Sequence, residues 1–492
     1  MHLLPHSLAV SCLLSIAAHE AFAAPSPASQ PHPRTIPLLR RSRPQLNESE
    51  SYAWLQGQRD FLKAKYGARD ANQKRASGLN LITNQNADSS FYGSIAVGTP
   101  AISYNVILDT GSSDLWLAAS DGLSSQSSDG IPTFDGNASS TFTDLNTQFS
   151  ISYGSGAARG TLGQDVVQFA GFEVSDQVFG VVTQISDGLL TSPVSGLMGL
   201  GFESIASSGA TPFWQALADS SGTLDEPLMA FQLTRFVDVQ NAQVLEPGGT
   251  FNLGAVNTSL YTGDIDYQSI PDGQEGYWIQ ELTGMTVNGA SVTLDSGTSS
   301  YAAIDTGTTL VGGPADAIAA LYAQIPGSQA LTGDNNGYYT YPCDTDVNVT
   351  LRFGNSSVSW PISNADFLLM QVSSSSCVGG FFTLDTSGTS APAWIVGDTF
   401  LKNVYSVFRA SPASVGFAQL SATATDMNGR LGSPPSATVG SVATITGGST
   451  NTGSDRNSNA AALRVELRSL GLGLGVWAAV FLSGLVGGGL LL

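Results

Sequence analysis

Two stretches of the chain set a carboxylate in front of threonine and glycine: Val106-Ile107-Leu108-Asp109-Thr110-Gly111-Ser112-Ser113 and Ala303-Ile304-Asp305-Thr306-Gly307-Thr308-Thr309-Leu310. Two carboxylates held close cannot both ionise easily, so such a pair shares one proton. The charged member can then deprotonate a water held between them, while the neutral member donates to a carbonyl oxygen. This is general acid/base hydrolysis of an amide, with no metal, cofactor or covalent nucleophile. Gly111 and Gly307 permit a tight loop after each Asp-Thr. The hydroxyls of Ser112 and Thr308 stand where they can hold the outer carboxylate oxygens. Asp295-Ser296-Gly297-Thr298 also matches the short motif. Asp305 is preferred because apolar Leu310 and Val311 follow it, much as Leu115 and Trp116 follow Asp109, whereas Asp295 is followed by Ser300 and Tyr301.

Positioning these loops requires a repeated scaffold. Each is followed by an apolar run that ends in glycine, Gly196-Leu197-Met198-Gly199 and Trp394-Ile395-Val396-Gly397. Asp109 to Gly199 is 90 positions and Asp305 to Gly397 is 92, while Asp295 to Gly397 is 102. Matching landmarks in the same order predict two duplicated lobes, each bringing one loop to a shared cleft. From Phe91 onward, runs such as YGSIAVG, YNVILD, FSISYG and VVQFAG are short, rich in β-branched and aromatic residues, and broken by Gly, Ser, Asp and Pro. They predict an all-β body with a few short helices, among them PFWQALADS and ADAIAALYAQI.

Composition narrows the chemistry. The 492 residues carry a formal net charge of −20, with 12% charged residues, 3 Cys and 4 His. Residues 24–75 hold ten Lys/Arg against four acids, and residues 76–430 hold six against 32. So acidic a body disfavours nucleic-acid binding, which needs basic patches. It suits acid, where its carboxylates lose their charge. A basic segment ahead of it should attract it at neutral pH and part from it on acidification. The histidines are at 2, 6, 19 and 32, so none falls in the acidic body, which excludes a Ser-His-Asp or Cys-His mechanism and a His-ligated zinc there.

With these residues in hand, the sequence resembles the pepsin-like aspartic proteases. FYGSIAVGTPAISYNVILDTGSSDLWL is similar to the family's amino-terminal strand and first active loop, ISYGSGAARGTLGQD to its flap hairpin, AAIDTGTTLVGGP to its second active loop, and WIVGDTFLKNVYSVFR to its late strand and helix. The resemblance spans roughly residues 88–420 and implies a bilobal all-β fold with a cleft between pseudo-symmetric lobes. It implies Asp109 and Asp305 as catalytic residues and Tyr153, followed by Gly154 and Ser155, as the flap tip. Trp116 should hydrogen-bond the Tyr153 hydroxyl, and Lys63 or Lys65 of a propeptide should sit near the pair. Ile107, Leu197 and Tyr153 suggest an apolar pocket beside the scissile bond. The layout looks most like fungal members that are secreted and anchored by glycosylphosphatidylinositol (GPI).

The ends carry targeting signals. Residues 8–18 are apolar and Ala21-Phe22-Ala23 follows, so 1–23 reads as a signal peptide. Residues 24–75 read as a basic propeptide, closed by the dibasic Lys74-Arg75, a kexin-type processing site. Residues 76–262 are expected as the first lobe and 263–420 as the second. Residues 421–460 are rich in Ser, Thr, Gly and Asn and read as a flexible stalk. Residues 461–492 read as a GPI-attachment signal, with Asn459 as first candidate and Asn457 and Gly453 as alternatives. The uncharged run 470–492 could instead be a retained transmembrane helix.

Secretion predicts oxidised cysteines. Cys12 leaves with the signal peptide, so Cys343 pairs with Cys377, worth ~3–4 kcal/mol in the chain-entropy picture. Glycosylation sequons stand at Asn47, Asn137, Asn257, Asn348 and Asn355. The function expected is an acid endopeptidase, made as a zymogen, monomeric, acting on extended peptides, inhibited by its own propeptide and displayed at the plasma membrane or cell wall. A non-catalytic binder of the same fold would be favoured by loss of an Asp or of a motif Gly, and neither is seen. A structural wall glycoprotein would leave the paired motifs unexplained.

Overall fold

The computed structural model describes residues 76–121, 130–437, 440 and 443–445. The signal and basic segments, Asn47, Lys63, Lys65, Lys74, Arg75, the attachment candidates and residues 461–492 lie outside them. All described residues fall in one unit. Among them, no helix is long and apolar enough to cross a membrane.

Among the described residues strands dominate and helices are short, the longest being Ala315–Ala323. The strand Ile102–Asp109 shows how alternation is used. Tyr104, Val106 and Leu108 are buried in the main core, while Ile107 faces a second apolar cluster with Trp116 and Leu197. The largest sheet has 14 strands. Its first-lobe half runs through Ser90–Val97, Ile102–Asp109, Val194–Gly199, Leu115–Ala118 and Phe172–Ile185 to the long hairpin Gly156–Phe169 and Thr143–Tyr153 at its edge. The other half contains Gly78–Gln85, Leu245–Leu253 and Leu228–Leu233, then Val404–Arg409, Ser414–Leu420 and Tyr261–Ser269. The last strands before residue 421 thus pair with first-lobe strands, and the expected lobe boundary at 262 falls inside Tyr261–Ser269.

The second lobe has an eight-stranded sheet ordered Trp360–Ile362, Val349–Phe353, Ile279–Val287, Tyr301–Ile304, Trp394–Val396, Val311–Gly313, Phe381–Thr383, with Ala290–Ser291 beside Ile279–Val287. In a further, four-stranded sheet the Cys343–Cys377 disulfide (S–S 2.04 Å) ties the turn after Tyr339–Pro342 to the neighbouring strand Ser376–Gly379. An aromatic seam fastens the lobes. The Trp278 indole N–H donates to the Leu200 carbonyl at 2.8 Å, and its ring lies 4.4 Å from Phe202 and 5.4 Å from Phe408.

The residues after 420, assigned by composition to a stalk, lie on the body as far as they are described. Ser421 caps the helix Ala422–Thr425 by accepting from the Ala424 N–H. The Gly429 N–H donates to the Arg235 carbonyl, the Gly432 N–H to Glu246 Oε2 and the Gly440 N–H to Gln168 Oε1. Ala443–Ile445 then pairs in parallel with Phe172–Val174.

Candidate active site

Each Asp-Thr-Gly loop begins where a strand ends, and the two lobes build that end in the same way. Ile102–Asp109 pairs in parallel with Val194–Gly199, placing Asp109 opposite Gly199. Tyr301–Ile304 pairs in parallel with Trp394–Val396, and the Asp305 N–H donates to the Val396 carbonyl at 3.0 Å. The glycine that closes each apolar run lies under its loop. A Cβ on Gly199 would sit 2.3 Å from the Ser113 carbonyl carbon, and one on Gly397 would sit 2.0 Å from the Thr308 carbonyl oxygen. Only glycine leaves room for the chain passing over it.

The two carboxyls meet, with Asp109 5% and Asp305 8% exposed. Each is gripped by its own loop. Asp109 accepts from the Gly111 N–H at 2.8 Å and from Ser112 Oγ at 2.5 Å; Asp305 accepts from the Gly307 N–H at 2.8 Å and from Thr308 Oγ1 at 2.6 Å. A Cβ on Gly111 would come within 2.5 Å of the Asp305 carboxyl, and one on Gly307 within 2.3 Å of Asp109 Oδ1. The bare glycines are therefore what lets each loop approach the opposite acid. Burial first, and then the charge of Asp305, push the Asp109 carboxyl well above the usual range, against the hydrogen bonds from Ser112 and Gly111.

Two residues that motif reading passed over lock the loops together. Thr110 Oγ1 donates to the Ile304 carbonyl at 2.8 Å and accepts from the Thr306 N–H at 3.0 Å. Reciprocally, Thr306 Oγ1 donates to the Leu108 carbonyl at 2.6 Å and accepts from the Thr110 N–H at 3.1 Å. The signal was present as the same residue at the same place in both loops, but spacing alone cannot show that each hydroxyl serves the opposite lobe.

The hairpin Thr143–Tyr153 and Gly156–Phe169 brings Tyr153 back towards the acids, with Gly154 and Ser155 exposed at its turn. The Trp116 indole N–H donates to the Tyr153 hydroxyl at 2.8 Å. Burial, and then the charge of Asp109, push that phenol far up, so it stays protonated. Trp116, Phe149, Ile151, Leu162 and Leu197 are buried together, with Ile107 and Tyr153 packed on them. Asp295 is exposed, outside the paired site. Asn137, Asn348 and Asn355 are exposed, whereas Asn257 is half-buried and its side-chain oxygen accepts from Ser259.

A second group of charges lies buried deeper. Lys402 Nζ donates to Asp88 Oδ2 at 2.8 Å and Asp366 Oδ1 at 2.9 Å, and Arg235 Nη2 to Asp366 Oδ2 at 2.6 Å. Two cations thus pair with two anions. Asp398, next to Gly397, is a third buried acid: it is 2% exposed, its Oδ1 has no hydrogen-bond partner, and burial pushes its carboxyl well above the usual range against the opposing charge of Lys402. No cluster of His, Cys, Asp and Glu among the described residues could hold a metal ion.

Comparison with known proteins agrees with this geometry: the family model for eukaryotic aspartyl proteases matches residues 90–420. The chain belongs to the pepsin-like aspartic proteases. It is 44% identical over 448 residues to major aspartyl peptidase 1 of Cryptococcus neoformans var. grubii, covering 84% of this chain and 88% of that protein. An aspartic protease of Phaffia rhodozyma is 38% identical over 73% of this chain and 86% of its own, and pepsin A of Sus scrofa is 34% identical over 67% and 81%. This aspartic protease is accordingly an endopeptidase hydrolase, and both acids of its paired loops are present.

Proposed function

We propose that this endopeptidase cleaves peptides with a water held between Asp109 and Asp305, without a cofactor. The observation that carries the reading is the meeting of two buried carboxyls, each fixed by its own loop, with the Asp109 carboxyl pushed up by burial and then by the charge of its partner. One carboxyl of the pair keeps the shared proton and the other is the base. The charged carboxyl takes a proton as the water oxygen attacks the peptide carbonyl, and the protonated one gives its proton to the carbonyl oxygen. The resulting gem-diol collapses as a hydroxyl proton returns to one carboxyl and the other protonates the leaving nitrogen. Peptides lie extended under the Tyr153 hairpin, with a large apolar side chain against Ile107, Leu197 and Tyr153, which border a buried apolar cluster.

The zymogen reading rests on the basic segment ahead of an acidic body and the Lys74-Arg75 pair; surface display rests on the apolar 470–492 run. The experiment for the chemistry uses the processed protein and its Asp109→Asn and Asp305→Asn variants on a peptide library at acid pH, with pepstatin as a control. Cleavage beside large apolar residues, inhibited by pepstatin and absent from both variants, is expected. Full activity in either variant overturns the mechanism. Release of the intact-cell enzyme by a phosphatidylinositol-specific phospholipase tests the anchor.

A further inference from the structure

The hairpin that carries Tyr153 is supported from one side only. Its outer strand, Thr143–Tyr153, is the edge of the sheet and among the described residues pairs with Gly156–Phe169 alone. That inner strand is in turn supported by Phe172–Ile185, but the ladder stops at Ala158 opposite Ile185. Beyond Ala158 the tip projects past the end of its neighbour, and an unsupported hairpin of this kind frays.

One residue past the ladder, a side chain takes over. The Ala157 N–H donates to Ser186 Oγ at 2.9 Å, and the Ser186 N–H donates back to the Ala157 carbonyl at 2.9 Å. Ser186 is itself fixed, because its carbonyl accepts from the Leu189 N–H at 3.2 Å and turns the chain into Leu189 and Leu190, which pack on the same apolar cluster as Tyr153. The return strand crosses this serine closely. A Cβ on Gly156, whose φ is +153°, would stand 2.7 Å from the Ser186 Cβ. The glycine and the serine are thus a matched pair: one gives the space, the other fills it with a hydroxyl aimed at the next amide.

We propose that Ser186 is a positioning residue for peptide binding, its hydroxyl holding the projecting tip of the Tyr153 hairpin over the cleft through the Ala157 amide. The Ser186–Ala157 bond holds the return strand and the Trp116–Tyr153 bond the outgoing strand one rung nearer the turn, and opening for substrate breaks the serine clamp while the tyrosine swings. The inference rests on the reading that peptides lie under this hairpin.

The test compares wild type with Ser186→Ala, Ser186→Thr and Gly156→Ala, all as processed enzyme. Loss of one hydrogen bond that holds the closed form should raise KM for a peptide substrate by about 3- to 10-fold and leave kcat within about 2-fold. Threonine keeps the hydroxyl and should restore KM; Gly156→Ala keeps the hydroxyl but pushes the strand off it and should reproduce the alanine defect. Hydrogen exchange in the free enzyme gives a readout independent of substrate: amides 152–158 should exchange faster in Ser186→Ala while those of Phe172–Ile185 do not. Unchanged KM and exchange in Ser186→Ala, or a threonine variant as impaired as alanine, overturns the proposal. Faster hairpin exchange with unchanged KM separates a correct clamp from a wrong site of peptide binding.

Discussion

The first Asp-Thr-Gly loop is held by a serine and roofed by a hairpin; the second is held by a threonine and backed by a buried acid. Inside the loops the bonds correspond one for one: glycine amide to inner oxygen, hydroxyl to outer oxygen, threonine across to the opposite strand. Outside them the lobes differ. After its closing glycine the first lobe has Leu200, fully buried, where the second has Asp398. The first lobe alone supplies the Trp116–Tyr153 contact. Duplication kept what the chemistry needs symmetrically, the grip on each carboxyl, and left the neighbours free to diverge into a substrate cover on one side and an electrostatic floor on the other.

Breaking the symmetric part should have the largest effect. Asp109→Asn and Asp305→Asn should each lower kcat by ~10³-fold or more, since each removes one half of a coupled acid and base, measured on enzyme purified away from wild type. Next, Thr110→Val and Thr306→Val should behave alike, each leaving backbone groups of the other lobe unpaired in a buried site at a cost of about 1–3 kcal/mol. Thermal unfolding should register that loss in both, and a stability defect in only one would show that the crossed bonds are not equivalent.

The asymmetric part makes its own pH signature. Asp398 in the folded protein holds its proton above the ordinary carboxylate range, so its contribution favours folding below that range and is lost as pH rises through the raised value. Asp366 has the opposite sign. Burial alone would raise it, but Lys402 and Arg235 outweigh burial and hold it below the ordinary range. Its contribution is present above that range and is lost only as pH falls through the lowered value. Moderate acid therefore satisfies both groups. Asp398→Asn should move the midpoint of inactivation on raising pH upward, read by thermal unfolding from the carboxylate range to neutrality, and an unchanged midpoint would remove Asp398 from the account. The smallest expected effect on activity is that of Trp116→Phe, which removes the N–H donor to Tyr153 and shrinks a buried side chain; it should raise KM modestly and leave the Asp398-dependent midpoint where it was.

Much of the site was legible because its signals are local. The loops, the closing glycines and the hairpin are all short runs or repeats, and their spacing carried over to strand ends and turns. What was not legible is long-range pairing. Nothing near Thr110 in sequence announces Ile304, and nothing near Asp88 announces Lys402. Asp398 reads as an ordinary acid in the first turn of a short helix until its burial is known. The Ser/Thr/Gly composition after 420 pointed to a solvated stalk, yet composition does not register that single backbone amides such as those of Gly429 and Gly432 find acceptors on the body.

The great sheet also dictates when this molecule can be finished. Leu228–Leu233 has Leu245–Leu253 on one side and Val404–Arg409, from near the far end of the described chain, on the other. During synthesis the early half must wait with an open edge until residues 404–409 have emerged, and assembly dominated by such distant partners is slow and prone to mispairing.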